Sequence, residues 1–278
     1  NQIINGKITI DDTSLQFDNS LYFNINNTAK INVLSITNND DSFLKRIYVD
    51  SEFNFKSTPE NQLNYGDIDK QNLIVLNELS YIPVSLSTAL KQFTNNGGYV
   101  IVIPTNSANT NTYNQFLTNY RTNFGNMLAI EKRITKINYA HPIYNNGVFE
   151  KQVSNFQYPK VNSFFNLSSS NLTAVLNFED GKIFLGQSQN IYVFASALND
   201  NNSSFKNSPL IVPTLYKFVS SNLLLTASEL LEEEVYLIGM DLHCRHQMST
   251  IPTPPHQDSF LWCFQDGRES LVTCYLSL

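Results

Sequence analysis

The sequence predicts an α/β protein, a layered sheet with a parallel core, preceded by a β hairpin and followed by an incomplete β segment. Three observations predict it. The runs INVLSI (31–36), NLIVLNE (72–78) and YVIVIP (99–104) are predominantly apolar, as in strands covered on both faces. Helical patterns lie between them, and strand, helix, strand, helix, strand implies parallel pairing through right-handed crossovers. From 130 to 200 the pattern changes to short β-like runs separated by Asn, Ser and Gly.

Residues 7–10 and 21–25 (KITI, LYFNI) flank a polar turn with Asp11, Asp12 and Asn19, which suggests a hairpin or the end of a β-sandwich over 1–30. Asp12-Thr13-Ser14 resembles the start of a metal-binding DxSxS loop, but the fifth position is Gln16 and turn chemistry explains it. In 41–50, Phe43, Leu44 and Ile47 are spaced for one helix face. Over 84–98, Leu86, Leu90 and Phe93 make a helical stripe ended by Asn95, Asn96 and the Gly97-Gly98 pair, where positive φ is tolerated. TYNQFLTNYRT (112–122) supplies another helix. TAVLNFEDGKIFLG (173–186) carries an Asp180-Gly181 hairpin signal, and IYVFASAL (191–198) reads as a further buried strand.

The chain has 278 residues, enough for one or two domains, with 42% hydrophobic residues and a net charge of −6. An acidic balance without a Lys/Arg cluster offers nothing to a phosphate backbone, so nucleic acid is excluded as an expected partner. No run approaches the roughly 18 apolar residues of a membrane-spanning helix. All 37 asparagines lie between Asn1 and Asn222. Cys244, Cys263, Cys274, Trp262 and three of the four histidines lie after position 240. This break divides the chain into an α/β unit over 31–218 and a different unit over 219–278, joined between Phe218 and Thr226.

The succession INVLSI, FLKRIY, QNLIVLNELSYIPVSLSTALKQFTNNGGYVIVIP, VSNFQYP and SALNDNNSSFKNSPLIVPTLY resembles the envelope-side part of bacterial BatA-domain membrane proteins, which carry a von Willebrand A-like region. The resemblance implies a class I glutamine-amidotransferase-like, flavodoxin-like sheet on the periplasmic side of the cytoplasmic membrane, anchored by a segment upstream of Asn1, with envelope proteins as partners and no cofactor for residues 1–218. Glutamine hydrolysis on such a fold needs an activated thiolate. The first 218 residues contain no cysteine. Ser107 is the hydroxyl placed like a nucleophile at a strand end and His141 is the histidine available to activate it, but no G-x-S-x-G pattern surrounds Ser107. The reading is therefore a non-catalytic interaction scaffold.

In the last 56 residues, PTPPHQDSFLWCF precedes a polar turn (QDGRE) and the strand SLVTCYLSL. On a strand, His256 and Asp258 share a face about 7 Å apart, which suits two ligands of one metal. This stretch, with its lead-in EEEVYLIGMDLHCRHQ, resembles the metal-binding core of the phytanoyl-CoA dioxygenase family. The resemblance implies a double-stranded β-helix, Fe(II) and 2-oxoglutarate, with His256 and Asp258 as metal ligands, and a hydroxylase activity. Three cysteines cannot all pair, and the free thiol that this leaves fits a reducing, cytoplasmic origin for this fragment. The family's third ligand is missing before Leu278. A zinc site from His243, Cys244, His246 and Cys263 matches none of the common ligand spacings.

A ligand of the α/β unit is expected beyond the carboxyl ends of its strands. Asn38, Glu78 and Ser107 stand at those ends, polar and without a Gly-rich phosphate loop, which points to a peptide or saccharide surface or to no ligand. Glu78 either faces that ligand or caps the turn that follows it.

Overall fold

The computed structural model describes residues 30–144 and 157–218, together with strand backbone at 4–9, 20–25, 234–238, 241–245, 264–265 and 268–269. Strands β1 (Ile4–Thr9) and β2 (Ser20–Ile25) pair antiparallel, with Ile4 opposite Ile25. The chain continues through β3 (Ile31–Thr37), α1 (Ser42–Ile47), β4 (Phe53–Thr58), β5 (Leu73–Leu79), α2 (Val84–Asn95) and β6 (Tyr99–Pro104). Next come α3 (Thr110–Leu117), β7 (Thr122–Leu128), β8 (Lys132–Ile137), β9 (Lys160–Val161) and β10 (Phe164–Ser169). Then follow β11 (Thr173–Phe178), β12 (Ile183–Ser188), β13 (Ile191–Phe194) and α4 over 211–218. Two further antiparallel pairs are β14 (Glu234–Ile238) with β15 (Asp241–Arg245), and β16 (Phe264–Gln265) with β17 (Arg268–Glu269).

Nine strands form one mixed sheet in the order β4-β3-β5-β6-β13-β12-β11-β8-β9. The first five are parallel and the pairs from β13 to β9 are antiparallel. Numbered along the chain, the parallel part has the order 2-1-3-4-5 of flavodoxin-like doubly wound sheets. All seven residues of β5 are buried, as its central place requires. Alternate residues of each parallel strand feed two cores. Val33, Val75, Ile101 and Tyr192 pack with α1 and α4 on one face, and Leu34, Ile74, Val102 and Val193 pack with α2 and α3 on the other. A Tyr48 hydroxyl that donates to the Leu215 carbonyl at 3.0 Å ties α1 to α4, and Phe218 closes this core against Tyr192.

Three local expectations shift. FNFKST (53–58) forms a strand that no continuous apolar run announces, because at the sheet edge it needs only Phe53 buried and Phe55 half-buried. The helix expected over 112–122 stops at Leu117. A turn of 3₁₀-helix follows, Arg121 takes a left-handed φ of 55°, and β7 begins. The strand expected over 191–198 ends at Phe194, and residues 195–199 turn toward the end of β5. The Asp180-Gly181 turn behaves as read: Gly181 has φ 87° and joins β11 to β12.

Candidate functional site

The parallel order sets the place of the site. From β3 the chain winds outward to β4, and from β5 it winds the other way to β6, so the crevice of such a sheet opens beyond the carboxyl ends of β3 and β5. Asn38 follows β3, Glu78 is the penultimate residue of β5, and Ser107 lies three residues past β6.

Two of these positions, Asn38 and Glu78, are bonded to the protein itself. Glu78 is 7% exposed and has φ 52°, at a bulge where the pairing of β5 with β6 shifts. That left-handed turn aims its carboxylate at the segment leaving β13. Oε1 accepts the backbone amides of Leu198 (3.0 Å) and Asn199 (2.9 Å), and Oε2 accepts the Asn199 side-chain amide at 2.7 Å. The Glu78 carbonyl accepts from Asn39 Nδ2 at 3.0 Å. Glu78 thus caps a loop about 120 residues away rather than the turn that follows it. Asn77 donates to Thr37 Oγ1 and to the Asp40 carbonyl, and its Oδ1 is buried without a partner among the described residues. Asn38 accepts the Glu60 amide at 3.3 Å. The Tyr113 hydroxyl donates to the Leu79 carbonyl, and burial, reinforced by the nearby Glu78 charge, pushes its ionisation well above the ordinary range.

Ser107 and His141 are not brought together. Ser107 is exposed past the carboxyl end of β6. His141 is buried in a cleft whose wall includes Tyr99, the first residue of β6. At 3.3 Å per residue, the six-residue strand separates those two ends by about 16 Å. His141 Nδ1 accepts the Ile143 amide at 3.3 Å, and its ring stands edge-on to Tyr192. Burial lowers its pKa, with the Gln187 side chain opposing in part.

His256 and Asp258 lie outside the described residues, as does the Asp12 turn. Among the described residues no group of three or more His, Cys, Asp or Glu is arranged to hold a metal, and no helix is long and apolar enough to cross a membrane. Asn39 and Asn77, beside the expected strand-end positions, bond across the strand ends as well. The residue that sequence reasoning missed is Asn199, whose surroundings in sequence carry no signal that its side chain reaches Glu78.

No family model and no curated protein matches the chain. Among solved structures, it is similar to α-L-fucosidase isoenzyme 2 from Paenibacillus thiaminolyticus at 11% identity, over 70% of this chain and 33% of that one, with a TM-score of 0.48. A Thermoplasma acidophilum protein assigned to GMP synthase matches at 11% identity over 74% and 99%, with a TM-score of 0.47. A ThuA-like protein from Bacteroides uniformis matches at 11% over 72% and 91%, also with a TM-score of 0.47.

Proposed function

We propose that residues 31–218 form a non-catalytic interaction module, an amidotransferase-like sheet used as a scaffold on the envelope side of a BatA-type membrane protein. What supports the reading is the use made of the switch-point carboxylate. Glu78, the acid at the place where a doubly wound sheet usually binds its ligand, is fully engaged in holding the 198–199 segment. The hydroxyl and imidazole that would make a hydrolase stand at opposite ends of β6, beyond hydrogen-bond reach of each other. In this reading the partners are envelope proteins, met through the exposed side chains around the sheet, and residues 219–278 are a fused dioxygenase-like fragment.

The test combines turnover with location. The whole chain is incubated with glutamine and with an activated ester, and separately with Fe(II) and 2-oxoglutarate, while cross-linking in isolated envelopes reports partners. The reading expects no turnover and a reproducible envelope partner. Ester or glutamine hydrolysis lost in Ser107→Ala would overturn it. Succinate release lost in His256→Ala would replace it with the hydroxylase in which His256 and Asp258 hold iron.

A further inference from the structure

The amino end of β6 borders a cleft of about 370 Å³, near the lower limit of the volumes that small-molecule sites occupy. It is bounded by Tyr99, the His141-Pro142 turn, the start of β11 and the hairpin between β12 and β13. Among its described lining residues none is an acid, a lysine or an arginine. A phosphate, a carboxylate or an ammonium group would enter without a counter-charge, which desolvation penalises heavily. Part of the lining is committed to the protein: Gln187 donates to the Gln189 carbonyl and Asn190 donates to the Thr94 carbonyl. The side chains of Asn171, Thr173 and Gln189 are exposed in the cleft and have no hydrogen-bond partner among the described residues.

A second observation concerns Gln189. The β12–β13 turn is a two-residue hairpin loop, because Ser188 pairs with Ile191, and Gln189 occupies its first position with φ 50°. Glycine is the residue that such a position favours. The neighbouring β11–β12 turn follows that rule with Gly181. Gln189 departs from it, and its side chain lines the cleft without a hydrogen bond to the described residues.

We propose that this cleft binds a neutral saccharide of one or two pyranose rings, held by the amides of Asn171 and Gln189 and the hydroxyl of Thr173. Amides and hydroxyls both donate and accept, as the hydroxyls of a sugar do. This site is at the opposite end of β6 from the strand-end crevice and does not rest on the scaffold reading.

The test is isothermal titration of the whole chain with maltose, cellobiose, lactose and N,N′-diacetylchitobiose, at low and high NaCl. At least one disaccharide is expected to bind saturably and independently of salt. Asn171→Ala and Gln189→Gly are each expected to weaken that binding about tenfold, the loss of one hydrogen bond to the ligand. Gln189→Gly should melt no lower than the parent chain, because it relieves the left-handed backbone, so weaker binding cannot be put down to unfolding. The proposal is overturned if none of the four sugars binds saturably, if both variants bind as well as the parent, if salt abolishes binding, or if triglycine displaces the sugar at equal concentration.

Discussion

Glu78 and Gln189 are both held at left-handed φ, 52° and 50°, although neither is glycine, and they stand at opposite ends of the parallel sheet. Backbone in that region costs an ordinary residue about 1–2 kcal/mol. At the carboxyl end the strain places a carboxylate under two buried or half-buried amides and one side-chain amide. At the amino end it places a neutral amide in a cleft, where nothing in the described protein answers it. The first strain stabilises the fold internally. The second closes the β12–β13 hairpin and leaves a side-chain amide that the described protein does not use, and for that reason the amino end, rather than the switch point that topology favours, is where we place a ligand.

The largest effect expected from this contrast belongs to Glu78→Ala. It would leave the Leu198 and Asn199 amides without their acceptor in a closed place, and a buried donor left unmade costs about 1–3 kcal/mol. A loss of about 2–4 kcal/mol in urea denaturation is expected, with faster hydrogen exchange at Leu198 and Asn199. Glu78→Gln keeps one acceptor oxygen but turns a second donor toward Asn199 Nδ2, so about half that loss should remain. An unchanged denaturation midpoint in Glu78→Gln would remove the distinction between the two ends.

The amino end should instead be the acid-sensitive one. Burial holds His141 below its ordinary value, and its Nδ1 accepts the Ile143 amide, which an imidazolium cannot do. Between that lowered value and about 6.5, the unfolded chain takes up a proton that the folded chain refuses. The contribution of His141 is therefore complete above about pH 6.5 and is lost as pH falls through its folded value. The fall in stability on mild acidification should be smaller in His141→Phe than in the parent. Equal slopes in the two chains would show that the 138–144 turn tolerates the charge.

What could be read from sequence follows the range of the interactions. Strands β3, β5 and β6 were legible because burial on both faces leaves a predominantly apolar run, and the β11–β12 turn because Gly181 satisfies a local backbone rule. Strand β4 was not, since an edge strand needs only Phe53 and Phe55 inward, and neither was the break at Arg121, where no Gly or Pro marks the left-handed residue. Glu78 was legible as a strand-end acid, but its partners lie about 120 residues away, beyond any local pattern. The cleft was hidden for a related reason: Asn171, Thr173 and Gln189 are unremarkable in an Asn-rich chain until β11, β12 and β13 bring them together.

The smallest effect belongs to Ser107, and it sharpens the contrast by being small. Ser107 is exposed beyond β6, its hydroxyl makes no hydrogen bond among the described residues, and no histidine of the described chain stands at its end of the strand. Substitution of such a surface group usually changes stability by no more than about 0.5 kcal/mol in either direction. Ser107→Ala should therefore match the parent in urea midpoint within that margin, and it should bind a disaccharide at the amino end with the same affinity, since a full strand length lies between them. If Ser107→Ala instead weakened sugar binding or partner cross-linking, the two ends of β6 would be coupled, and the carboxyl end would have to be treated as part of the binding surface.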